Sequence, residues 1–236
     1  MQRTITIAKR EFRGYFNSPA AYIVICLFLV LMGFFFWNPF FLINRASVRG
    51  MYDLMSVLLL PTAPALTMGL LAEEKRTGTI EILLTMPVRD AEVVVGKYLA
   101  ALGLLAVLLA CTVAYPLSVS TLGNLDWGPV FTGYIALLLE GGAMLAIGVL
   151  ASSWTDNQLI AFFTSGIICF AFWIISRFLP FMPQAAASTV EWLSFDYHFQ
   201  DMARGVVDTR DAFYFLSIIG FSLVLAFRSL ESRRWS

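Results

Sequence analysis

The stretch LAALGLLAVLLACTVAYPLSV, Leu99 to Val119, runs for 21 residues without a charged side chain. A helix of that length rises about 1.5 Å per residue, spans the roughly 30 Å hydrocarbon core of a bilayer, and satisfies its own backbone N–H and C=O groups there. Comparable runs lie on both sides of it: Ala20 to Trp37, Leu54 to Leu71, Val130 to Ala151, Asn157 to Ser176 and Ala212 to Phe227. The last is short and must borrow from its flanks, where Arg228 can snorkel to the interface. The expectation is an all-α polytopic membrane protein with six transmembrane helices. Pro61 and Pro64 predict a kink or local break in the second.

Composition agrees. Of 236 residues, 59% are hydrophobic and 14% charged, with a mean hydropathy of +0.77, whereas soluble domains are about half apolar and a quarter charged. Sixteen basic and 16 acidic side chains give a net charge of zero, which excludes a strongly basic nucleic-acid binder and an acidic solvated tail. Aromatic residues at 15% exclude disorder. Cys26, Cys111 and Cys169 lie in separate apolar runs and read as packing residues, and the only histidine, His198, sits outside every long run.

Basic residues set the orientation. With the N-terminus in the cytoplasm, that side holds eleven of them: Arg3, Lys9, Arg10, Arg13, Lys75, Arg76, Arg89, Lys97, Arg228, Arg233 and Arg234. Five remain outside, namely Arg45, Arg49, Arg177, Arg204 and Arg210. Both termini are therefore expected inside a bacterial cytoplasmic membrane. Residues 1–17 form an amphipathic helix, with Ile5, Ala8, Phe12, Tyr15 and Phe16 on one face, Arg3, Arg10 and Arg13 opposite and Lys9 at the edge. A secretory signal is a poorer reading, because the apolar run after this helix ends in Phe34-Phe35-Phe36-Trp37-Asn38-Pro39, which has no small-residue cleavage pattern.

The loop after the second span is the most informative stretch. Thr79 is placed to cap a short helix whose apolar ridge is Ile80, Leu83 and Leu84 and whose stop is Pro87. Such a ridge, flanked by charge and projecting from a membrane, suits a groove on another protein, or packing on the chain's own inner surface. Asp156, Asn157 and Gln158 form a tight inner turn, where Asn157 or Asp156 can cap the fifth span. Glu140 stands alone at mid-span, where an ionised carboxylate costs several kcal/mol unless it meets a partner or water. It is read as a pathway or subunit-seam residue, or as a structural bond to a Ser or Thr of a neighbouring span. Gly141, Gly142 and Gly148 permit close helix approach around it.

Glu73-Glu74-Lys75-Arg76-Thr77-Gly78-Thr79-Ile80-Glu81 followed by Leu84-Thr85-Met86-Pro87-Val88 resembles the signature of type 2 ABC transporter permeases, in particular the gliding-motility-associated permease branch. The resemblance continues through Gly96-Lys97-Tyr98, Leu125-Asp126-Trp127-Gly128-Pro129, Ser152-Ser153-Trp154-Thr155-Asp156-Asn157-Gln158 and Tyr197-His198-Phe199-Gln200-Asp201, and covers essentially the whole chain. It implies a single membrane domain: an elbow helix at 1–17, spans near 20–37, 54–71, 99–119, 130–151, 157–182 and 212–228, a cytoplasmic coupling loop at 72–97, and an outer loop at 183–211 with short helices. It implies further that a coupling helix in that loop sits in a cleft of a separate ABC ATPase dimer. Ile80, Glu81, Leu83 and Leu84 would make the contact, flanked by Glu73, Glu74, Arg76, Thr79 and Pro87, while Arg10, Phe12 and Arg13 seat the elbow helix. A second copy or a similar permease completes the membrane unit, with a periplasmic or membrane accessory subunit as a further partner. Glu140 departs from the resembled pattern, which is apolar at this position.

The chain has no G-x-x-x-x-G-K-[ST] segment, since Gly96-Lys97 is followed by Tyr98. No cofactor is expected in it, and ATP and magnesium belong to the partner ATPase. It is not expected to be an enzyme. An intramembrane serine protease would need a membrane histidine as base, and a metal version would need histidine ligands; neither is present in the spans. Two other readings stay open: a proton-coupled carrier using Glu140 with Arg177 as its partner, and a structural anchor for an envelope complex.

Overall fold

A computed structural model describes residues 2–43, 48–79, 90–123, 125–183, 190–205 and 208–232. The described residues are overwhelmingly helical, with no strand among them. The helices are α1 (Gln2–Asn17), α2 (Pro19–Ile43), α3 (Arg49–Thr67), α4 (Ala72–Arg76), α5 (Asp90–Thr112), α6 (Ala114–Leu122), α7 (Trp127–Trp154), α8 (Gln158–Phe178), α9 (Phe195–Ala203) and α10 (Thr209–Ser232), with a 3-10 turn at Leu179–Phe181. Among the described residues, six stretches are long and apolar enough to cross a membrane: Ala21–Asn38, Gly50–Arg76, Asp90–Leu122, Trp127–Trp154, Gln158–Phe178 and Thr209–Glu231. This is the expected polytopic all-α protein.

The stretches exceed their sequence-based bounds wherever a polar end finds a partner. The expected loop at 72–97 is helix at both ends, over 72–76 and 90–97. The short last span gains a turn at its start because Asp211 is buried against His198, Oδ1 to Nδ1 2.7 Å. The break expected at Pro61 and Pro64 falls later: α3 runs through both prolines to Thr67, and turns follow at 68–71. There Ser152 Oγ accepts from the backbone N–H of Leu71 and of Ala72 and donates to the carbonyl of Met68, each at 3.0 Å. A side chain from another span thus satisfies the backbone groups that the interruption frees. Between α5 and α6 the cause is local, since Pro116 removes the hydrogen bond to the carbonyl of Thr112, where α5 ends.

Helix α7 is the axis of the bundle. In its apolar stretch 83% of residues are buried, against 22% in α2, 17% in α8 and 22% in α10. It starts with Asp126, whose side chain accepts from the N–H of Gly128 at 3.0 Å. Its glycines set the distances to its neighbours. A Cβ on Gly133 would stand 2.7 Å from the ring of Tyr52 in α3, one on Gly141 would stand 2.7 Å from Leu105 in α5, and one on Gly148 would stand 1.9 Å from Thr67 Oγ1 and 2.9 Å from Thr67 Cβ. Tyrosines tie the spans across their polar backbones: Tyr52 donates to the carbonyl of Val130 at 3.2 Å and Tyr115 to that of Leu29 at 2.8 Å.

The chain crosses so that α1, α4, the 155–157 turn and the end of α10 share one face; Ser229 Oγ donates to the carbonyl of Ser153 at 3.1 Å. The opposite face carries α9, whose Phe195, His198, Phe199 and Met202 are buried among α7, α8 and α10. His198 stacks on Tyr214 with ring centroids 4.0 Å apart, and its Nε2 meets the carbonyl of Trp192 at 3.1 Å.

Gly148→Ala should lower the melting temperature of the detergent-solubilised protein, by a cost of about 1–3 kcal/mol, because the obstructing Thr67 Cβ cannot swing away. Gly166→Ala, whose added Cβ meets nothing within 4 Å, should leave the melting temperature unchanged or raise it.

Candidate functional site at the face carrying the elbow helix

Helix α1 lies along the first half of α5 in a trough cut by two glycines seven residues apart, and so on one helical face. A Cβ on Gly96 would stand 2.8 Å from Ile7 Cγ2 and 3.1 Å from the carbonyl oxygen of Thr4, and one on Gly103 would stand 3.1 Å from the ring of Phe12. The face of α1 turned toward the bundle carries Thr4, Ile7, Ala8, Glu11, Phe12, Tyr15 and Phe16, while Ile5 is exposed. Of the expected apolar face, Ala8, Phe12, Tyr15 and Phe16 are part-buried and Ile5 is exposed, and Glu11, which that face did not include, is part-buried with them. Glu11 can turn inward because a lysine waits there.

That lysine is Lys97, two turns into α5, with its side chain 3% exposed. Its Nζ lies 2.8 Å from Glu74 Oε1 on α4 and 3.6 Å from Glu11 Oε2 on α1. Arg10 Nη2 takes the other oxygen of Glu11 at 2.9 Å. Tyr15 donates its hydroxyl to the carbonyl of Leu66 at 3.1 Å, binding α1 to α3 as well. Burial, helped by the Glu11 carboxylate, pushes the Tyr15 phenol up, so it remains a donor at every physiological pH.

Helix α4 is seated from below and closed from above. Lys75 Nζ donates to the carbonyl of Ser153. After Arg76, Thr77 N–H returns to the carbonyl of Glu73 at 2.9 Å and the chain turns out through Gly78 at φ +71°, a left-handed conformation that favours glycine. Thr79 Oγ1 reaches back to the carbonyl of Glu74 at 3.4 Å and meets Thr77 Oγ1 at 3.0 Å. Ile80, Glu81, Leu83, Leu84 and Pro87 lie outside the described residues.

An open cavity of about 520 Å³ lies between these elements, bounded by Glu11 and Tyr15 on α1, Glu73 and Glu74 on α4, Lys97 on α5 and Gln158 on α8. A second hollow of about 340 Å³ adjoins it, lined by Arg76, Asp156, Asn157, Gln158 and Leu159. Between the two possible caps of α8, the structure uses Asn157, whose side chain accepts from the N–H of Leu159 at 2.9 Å. Asp156, Glu73, Arg76 and Arg13 stay exposed, as does Arg10 beside Glu11. Phe12 packs on Phe16, with ring centroids 5.1 Å apart, and on Gly103.

The described sequence-derived residues of α1, α4 and the 155–157 turn therefore meet on one face, and Glu140 does not join them. It lies midway along α7, fully buried, accepting from Ser56 Oγ of α3 at 2.7 Å. Its Oε2 has no hydrogen-bond partner among the described residues. Arg177, once its candidate partner, lies over the Trp173 ring, 5.2 Å from the centroid. Among the described residues no group of three or more His, Cys, Asp or Glu side chains is placed to hold a metal ion. Lys97, Glu11 and Ser152 were missed as site residues in the sequence. The available signal was Glu11 at helical spacing from Thr4, Ala8 and Tyr15, opposite a lysine buried in an apolar run.

The fold is that of a multi-pass helical membrane protein, with α1, α4 and the 155–157 turn gathered on one face. The family model described as ABC-2 family transporter protein matches residues 42–227, and the chain belongs to that family. Membership makes it the membrane component of an ABC transporter and implies association with an ABC ATPase. No curated protein matches the chain.

Ser152→Ala removes the acceptor of two backbone N–H groups at the 68–71 break. The expected cost is about 1–3 kcal/mol, read as a lower melting temperature and as faster amide exchange at Leu71 and Ala72, with Ser153→Ala as the comparison.

Proposed function

We propose that this chain is the permease subunit of an ATP-driven transporter, or of a force-transmitting complex of the gliding-motility-associated type, in a bacterial inner membrane with both termini cytoplasmic. Its partner is a separate ATPase dimer that binds ATP and magnesium, and a second copy or a similar permease completes the membrane unit. Nucleotide binding closes the ATPase pair and moves the coupling segment of the 72–97 loop. The spans then switch between discrete packings, exporting an amphipathic cargo or passing force to a periplasmic partner. The observation that carries this reading is the convergence of α1, α4 and the 155–157 turn on one face, at the point where the chain leaves through Gly78 toward Ile80, Glu81, Leu83 and Leu84.

Within this reading Glu140 is an inter-helix bond to Ser56. The carrier alternative loses support, because the arginine it needs as partner stacks on Trp173 instead.

The test is reconstitution of the chain with its ABC ATPase in proteoliposomes. Ile80→Asp combined with Glu81→Lys should lower the stimulated hydrolysis rate by about tenfold or more, a loss of roughly 1.4 kcal/mol of coupling, while the isolated ATPase is unaffected. Stimulation that persists in the double variant rejects the assignment of the coupling segment.

A further inference from the structure

We propose that Lys97 is the positioning residue that makes the elbow helix and α4 move as one body, so that displacement of the coupling segment reaches α1 and α5 together. This rests on the permease reading and adds to it the element that carries the stroke.

Three observations converge on Lys97. Its side chain is 3% exposed and contacts a carboxylate from each of two separate helices, Glu74 at 2.8 Å and Glu11 at 3.6 Å. The trough at Gly96 and Gly103 brings α1 close enough to cover it, and at Gly96 the limiting contact includes backbone, the carbonyl of Thr4. Glu74, in turn, has a second oxygen, Oε2, that is buried without a hydrogen-bond partner among the described residues. The lysine is therefore what fixes Glu74, which lies four residues before Gly78, where the chain turns out toward the coupling segment.

Burying an ion pair gains little stability over a well-packed apolar side chain of the same size; in some proteins what such a pair supplies is geometry and register, and that is the role assigned to Lys97. A methionine at position 97 would fill the same space and remove the one side chain that contacts carboxylates of both helices, leaving α1 tied by Tyr15 on Leu66 and its packing over Gly96 and Gly103, and α4 by Ser152 and Lys75. These contacts anchor the two helices to different spans. Without Lys97 a push on α4 is taken up locally. With it, the push is shared.

The full chain is examined in lipid nanodiscs and together with its ATPase. In the first arm, Lys97→Met should raise amide exchange over 2–17 and 72–79 together, by about tenfold or more, without change in α7, and Lys97→Arg should restore protection in both. A rise confined to one segment, or none, overturns the proposal. In the second arm, Lys97→Met should lower the maximal stimulated hydrolysis rate by about tenfold while the affinity for the ATPase stays within about threefold, with Lys97→Arg recovering most of the rate. Unchanged stimulation, or an affinity loss as large as the rate loss, overturns it. Should Lys97→Met fail to fold, Glu11→Gln, Glu74→Gln and the double variant replace it. Non-additive losses of rate support the shared body, and additive losses reject it. If the wild-type chain neither binds nor stimulates an ABC ATPase, the permease reading itself fails, and the exchange arm alone decides whether Lys97 joins the two helices.

Discussion

The close approach of α7 to its neighbours is the constraint on which the bundle depends. Lipid tails are as apolar as leucine, so the spans gain nothing from simple hydrophobic contact with one another; close packing and inter-helix hydrogen bonds must hold them. Gly133, Gly141 and Gly148 bring α7 against α3 and α5 so closely that an added Cβ would force a neighbour to shift at each, and Glu140 accepts a hydrogen bond from Ser56 at the interface with α3. Because α3 is held this way, its end at Thr67 lies beside Ser152, and the turn that launches α4 is fixed by α7. The site at the elbow face is thus the outer consequence of glycine contacts in the membrane.

Much of this was legible in the sequence. Six long apolar runs, only one of them broken by a charge, at Glu140, have few explanations, and the described helices follow them. The ends were less legible, because a charged residue in a hydropathy profile reads as a boundary whether or not it has a partner. Asp211 and Lys97 both lie inside helices, one paired with His198 and the other with Glu11 and Glu74. The prolines mark where backbone bonds are missing, yet the turn falls at 68–71, where Ser152 supplies replacements. Such a pairing, across some 80 positions of sequence, is invisible to any local reading.

The site divides along the same line. Its motif, from Glu73 to Pro87, is readable as charge flanking an apolar ridge, and Asn157 is readable as a cap because capping is a local matter. Most of the apolar face of α1 packs as its pattern suggests, but Glu11 turns inward as well, where an apolar-face argument assigns glutamate to solvent by default. Only knowledge of the buried lysine on α5 turns Glu11 around, and that required the packing of α1 over Gly96 and Gly103.

The uneven burial of the spans has a consequence for how freely this chain can drift in sequence. Leu137 and Phe163 look alike to a hydropathy scale, but Leu137 is fully buried while Phe163 is 61% exposed on the outer side of α8. A residue against fluid acyl chains has neighbours that reshape around it, so many apolar side chains serve there. A residue such as Ala136 or Ala143, enclosed on α7, has neighbours that cannot. Permissible substitutions should therefore concentrate where the exposed sides of α2, α8 and α10 meet lipid and not a second subunit, leaving α7 as the part of the chain that changes most slowly.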